Sequence, residues 1–127
     1  MEGRALVEGS ATGLALVLDE PLSFWGGLDP STGEIVEAGH AQRGEVVTGR
    51  ILVMPSGRGS SSSATVLAEA IRLGTGPAGI ALGEPDDIIV IAALVAAELY
   101  GATIPVVVAS PAGYAAIRDG EQISLVP

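Results

Sequence analysis

Arg50-Ile51-Leu52-Val53-Met54-Pro55-Ser56-Gly57-Arg58-Gly59-Ser60-Ser61-Ser62-Ser63 is the stretch on which the fold turns. Arg50 to Met54 carries an unbroken apolar run, as a strand buried on both faces does. Pro55, Gly57 and Gly59 then stop the strand and allow a tight turn. Ala64 to Leu73 follows as a helix, because Ala64, Leu67, Ala68 and Ile71 recur at helical spacing and Gly74 closes it. Strand, glycine turn and helix in direct succession predict an α/β unit.

The segments after it continue the pattern. Ala78 to Leu82 is a strand. Glu84-Pro85-Asp86-Asp87 places carboxylates and a proline at a helix start. Asp87 to Tyr100 is a second helix, apolar on most sides and so expected to be buried, with Gly101 as its stop. Pro105 to Ala109 is a β-branched strand. This alternation predicts a parallel sheet with right-handed crossovers. Ala115 to Val126 predicts a strand pair turning at Asp119-Gly120.

The segments before it are β-rich. Arg4 to Glu8 and Leu14 to Leu18 predict two strands split by a Gly9-Ser10-Ala11-Thr12-Gly13 turn, and Asp19-Glu20-Pro21 ends the second. Leu22 to Leu28 is a loop, Asp29 to Gly33 a turn, and Glu34 to Glu37 a short strand. Ala38 to Thr48 is an irregular polar connection. The whole predicts one mixed α/β domain over residues 1–127, with β layers, two main helices and no internal repeat.

Composition narrows the function. The chain has 127 residues, 48% of them hydrophobic, which suits one folded domain. A net charge of −9 argues against nucleic-acid binding, which needs a basic face. All six basic residues are arginine, so phosphate-loop and Schiff-base lysines are excluded. No cysteine is present, so the chain has no disulfide or cysteine-held metal, and one histidine cannot build a metal site alone. Met1 to Arg4 lacks a signal peptide's apolar core, and the longest apolar run, Ile88 to Ala97, is too short for a bilayer. The expectation is a cytoplasmic protein that does not engage membranes.

The serine turn is the candidate site. Free N–H groups and the positive end of a helix dipole favour an anion there. One helix cap needs one serine. Here Ser60, Ser61, Ser62 and Ser63 stand together beside Arg58 and Gly59, so a ligand role competes with plain capping. A serine-hydrolase reading is weak, because Gly57-Arg58-Gly59-Ser60 is not the G-x-S-x-G elbow. Trp25, in a loop with Phe24, Gly26 and Gly27, fits either a packing anchor or an interface or active-site rim. His40 fits either that rim or a hydrogen-bonded loop. Asp86 and Asp87 are taken as helix-start carboxylates with no chemistry.

Three segments resemble the swivel domain, or small subunit, of the aconitase X family: Leu18 to Gly33, Gly49 to Ser63, and Leu73 to Leu82. The similarity runs over essentially the whole chain. It implies the swivelling β/β/α fold of aconitases and a hydro-lyase that dehydrates a small hydroxy acid. It also implies a large subunit, in a heterodimer or higher assembly, that holds iron or an iron–sulfur cluster through cysteines. The family's catalytic serine follows a Gly-x-Gly turn, which places the role on Ser60, with Ser61 or Ser62 as alternatives within the run. Arg58, Gly59, Ser61, Ser62 and Ser63 would then bind the substrate carboxylate. Two activities go with the family, on cis-3-hydroxy-L-proline and on phosphomevalonate. Four consecutive serines and the Phe24-Trp25 pair look more like the first, and a phosphate would want more cationic charge than Arg58 supplies. A small-anion-binding regulatory module without chemistry is the rival reading.

Overall fold

A computed structural model gives the structure of residues 3–126. In chain order the elements are β1 (Gly3–Val7), β2 (Ala11–Val17), β3 (Leu22–Ser23), β4 (Leu28–Asp29), β5 (Glu34–Ile35), β6 (Ile51–Met54) and β7 (Gly57–Arg58). Then come α1 (Ser61–Leu73), β8 (Gly79–Leu82), α2 (Asp87–Tyr100), β9 (Val106–Ala109), α3 (Pro111–Ala116) and β10 (Gln122–Leu125). The main sheet has six strands in the order β1-β9-β8-β6-β2-β10. Strands β2, β6, β8 and β9 run parallel, while β1 and β10 close the two edges antiparallel. The mixed α/β class expected from the sequence is the class observed.

Alternation along each strand builds two cores. Leu52 and Met54 of β6, Leu16 of β2, Ile80 and Leu82 of β8, and Val106 of β9 face α1 and α2. Their neighbours Ile51, Val53, Ala15, Ala81 and Val107 face the other side, where Tyr114, Ile117 and Ile123 pack. The two long helices pack against each other on the first face. Leu67, Ala68, Ala70 and Ile71 of α1 are buried there, as are Ile89, Ala92, Ala93 and Ala96 of α2. Both helices end on a left-handed glycine, Gly74 and Gly101.

Four expectations are corrected. Strands β1 and β2 do not form a hairpin across the Gly9-to-Gly13 turn; β1 pairs antiparallel with β9, eight strands later in the chain. Strand β2 starts at Ala11 and absorbs the expected turn, because Ala11 to Leu14 finds a partner in β10. The expected strand pair over Ala115 to Val126 is only β10, preceded by α3. Ser110 caps α3 through its hydroxyl, which accepts the Gly113 N–H at 3.0 Å, and Pro111 opens it. Helix α2 is not buried all round: Ile91, Leu94 and Leu99 are about half or more exposed. No helix among the described residues is long and apolar enough to cross a membrane.

Leu67 is fully buried between α1 and the sheet. Leu67→Ala should cost about 3 kcal/mol, within the usual range for a core leucine, read from the urea midpoint. Burial raises the phenol of Tyr114 above its ordinary value. The folded state thus holds the phenol neutral. Its contribution is complete below about pH 10, the unfolded value, and is lost as pH rises through the raised folded value. Tyr114→Phe should therefore lose less stability above about pH 10 than the parent in alkaline denaturation.

Candidate active site

Strand β6 is buried at every residue and ends in the serine turn. The turn does not hang free. Gly57 and Arg58, as β7, pair parallel with Leu22 and Ser23 of β3, in register Leu22 with Gly57 and Ser23 with Arg58. This pairing lays the Phe24-to-Gly27 loop beside the serine turn. The loop doubles back tightly: Leu28 N–H donates to the Phe24 carbonyl at 3.0 Å, and a side chain at Gly27 would overlap the Ser23 carbonyl.

Two carboxylates fasten this arrangement, and sequence reasoning missed both roles. Glu37 accepts the Ser23 N–H on Oε1 at 2.9 Å, and its Oε2 takes the Arg58 Nη2. Asp86 caps α2 by accepting the Ile89 N–H at 3.0 Å, as its place in the sequence indicates. Its second oxygen accepts the Gly57 N–H, also at 3.0 Å, and so ties the serine turn to α2. An acidic residue before a helix signals the cap. Nothing local signals the partner 29 residues away.

The four serines divide. Ser60 is the N-cap of α1, with extended backbone and an Oγ that accepts the Ser62 N–H at 3.3 Å. Ser60, Ser61 and Ser62 are exposed around the first turn, where N–H groups have no carbonyl one turn earlier to bond. An oxyanion at Ser60 would sit against that N–H and the positive end of the α1 dipole. Ser61 also reaches a groove of about 470 Å³ between α1 and α2, lined further by Ala64, Thr65, Ile88 and Tyr100. Ser63 is the exception. It is 1% exposed, and its Oγ accepts the Trp25 N–H at 3.3 Å. The expectation that Ser63 binds substrate is corrected: it joins the two loops from beneath.

The expected rim residues divide too. Trp25 is 65% exposed and Gly26 is exposed beside it. Phe24 is 1% exposed and belongs to the core, because the turn that displays Trp25 points its neighbour inward. Gly27 is buried under the same turn. His40 is also buried and is no rim residue. Its Nδ1 accepts the Gln42 N–H at 3.0 Å, so the proton sits on Nε2, which faces the Glu20 carbonyl at 3.3 Å. That pattern makes His40 a brace of its own loop. Among the described residues, no group of three or more His, Cys, Asp or Glu side chains could hold a metal ion.

The model of the aconitase X swivel domain matches residues 1–127. The chain belongs to the aconitase X swivel-domain family. It is 46% identical over 103 residues to cis-3-hydroxy-L-proline dehydratase of Pseudomonas aeruginosa, covering 81% of this chain and 18% of that protein. It is 50% identical over 76 residues to the phosphomevalonate dehydratase small subunit of Methanopyrus kandleri, covering 60% of this chain and 56% of that one. The crystal structure of Thermococcus kodakaraensis aconitase X in its holo-form superposes with a TM-score of 0.85 at 32% identity, over 97% of this chain and 88% of that one. The swivel-domain fold is thereby that of this chain. The chain spans under a fifth of the Pseudomonas dehydratase and little more than half of the Methanopyrus subunit.

Gly59 has φ +114, and a Cβ there would stand 2.6 Å from the Ser63 Oγ and 2.9 Å from the Ser23 Oγ. Gly59→Ala should destabilise the chain by about 1–3 kcal/mol in chemical denaturation. It should also raise hydrogen exchange at the Trp25 amide, because Ser63 must move away from it.

Proposed function

We propose that this chain is the swivel portion of an aconitase X-type hydro-lyase that dehydrates cis-3-hydroxy-L-proline, completed by a larger subunit or domain. Family membership and the 46% identity to a protein of that activity support the reaction class. The observation that carries the residue assignment is the placement of Ser60. The residue is exposed and follows a glycine turn, and its Oγ receives an N–H at the head of α1. A serine is a poor base unless its alkoxide is stabilised, and backbone N–H donors with a helix dipole are the groups that do so.

In this reading Ser60 takes the proton from the carbon that bears the carboxylate. The electron pair left behind forms the carbon–carbon double bond as hydroxide leaves the neighbouring carbon. Arg58 and the first-turn N–H of Ser61 hold the carboxylate and keep that proton aimed at Oγ, while the Ser62 N–H stays on the Ser60 oxygen. Among the described residues no cluster of His, Asp or Glu could hold an iron centre, and the chain has no cysteine. In this reading the larger partner would supply that centre and its Lewis acidity toward the leaving hydroxyl. The apolar face of α2, with Ile91, Leu94 and Leu99 exposed, is the kind of surface a partner covers.

The single arginine at the turn shares its charge with Glu37, which suits a small carboxylate better than a phosphate. A second reading, dehydration of phosphomevalonate, is supported by the similarity to the Methanopyrus subunit. Turnover by the assembled protein on the two substrates separates them. Ser60→Ala should lower kcat by roughly 10²–10⁴-fold while the assembly stays intact by size-exclusion chromatography. Near-parental turnover in that variant would move the base to Ser61 or Ser62.

A further inference from the structure

We infer that Glu37 is a positioning residue that aims the Arg58 guanidinium at the serine turn and so sets how tightly a substrate carboxylate is held. The inference rests on the reading of Arg58 as the carboxylate-binding group.

Glu37 is fixed independently of Arg58. Its backbone N–H donates to the Gly27 carbonyl at 3.2 Å, beside the Val36 N–H on the same oxygen at 2.8 Å. Its carboxylate is further pinned by the Ser23 N–H. Its side chain is only 18% exposed, against 47% for that of Arg58. The fixed member of the pair is thus the acid, and the long flexible member is the base. An ion pair built this way orders the arginine.

Arg58 needs such a guide. It stands on a two-residue strand, and its side chain projects from the surface. A guanidinium offers five N–H donors, so one nitrogen on Glu37 leaves others for a second carboxylate in a defined plane. Arg50 and Arg72 are held elsewhere, by Glu45 and Glu69. An ordinary exposed ion pair contributes little to stability. The position of this one, between the Trp25 loop and the serine turn, places its effect on binding.

The test uses the chain assembled with its large partner and cis-3-hydroxy-L-proline as substrate. Glu37→Gln keeps an oxygen for the Ser23 N–H and turns an amide N–H toward Arg58, so only the ion pair is lost. KM should rise roughly tenfold with kcat within about twofold, the pattern of lost carboxylate binding. In an Arg58→Gln background the same substitution should have no further effect on KM. A KM unchanged by Glu37→Gln, or an effect that adds in full to that of Arg58→Gln, overturns the inference. A substrate-independent readout is NMR of the 127-residue chain. The Arg58 guanidinium N–H signals should be protected in the parent and lost in Glu37→Gln; their persistence also overturns it. If the assembly turns over no cis-3-hydroxy-L-proline, the substrate reading fails while the NMR comparison still decides the inference.

Discussion

Everything at the serine turn depends on the burial of β6. Ile51, Leu52, Val53 and Met54 are shielded on both faces, so this strand cannot slide or tilt without opening both cores. Its C-terminal end is therefore a fixed point. The turn inherits that point, and α1 starts from it with its N–H groups facing out. A reactive hydroxyl gains from such a mount, because a shift of about 1 Å at a catalytic group is costly.

The second constraint is polar. A turn with glycines at 57 and 59 is permissive by itself, and permissive backbone does not hold a site. Here it is held by partners from three other parts of the chain. β3 supplies strand pairing, Glu37 takes the arginine, and Asp86 takes the Gly57 N–H. Ser63 adds a fourth tie from below, to the Trp25 N–H. Much of the polar material near the turn is thus spent on geometry, which leaves Ser60, Ser61, Ser62 and Arg58 as the groups facing outward.

The second half of the fold was legible because its signals are local. The apolar runs at β6, β8 and β9 and the signals at Gly74, Asp86 and Gly101 are visible within a few residues. Helix α1, by contrast, starts at Ser61, three residues before the expected Ala64, because Ser60 is the cap and the serines after it are already helical. The partner of β1 was not legible, since β9 lies a hundred residues away in sequence. Helix α3 was legible in principle: Ser110-Pro111 is a cap followed by a favoured first residue, but six residues give no periodicity to confirm it. At the site, the serine turn announced itself, while Glu37 did not. A glutamate at the end of a short expected strand looks solvated, and only folding brings it to Ser23 and Arg58. The same limit hid the division among the serines. Four identical residues in a row give no hint that one of them turns inward.

The placement of Trp25 has an optical consequence. It is the chain's one tryptophan, it is open to water, and its backbone is hydrogen-bonded to Ser63 next to the candidate base. In the isolated chain all indole emission therefore originates at the edge of the serine turn. Its wavelength reports local hydration at that edge, and its quenching by a soluble collider reports access to it. Covering of that edge, by a partner or by a bound molecule large enough to reach the indole, writes itself into a signal that needs no label.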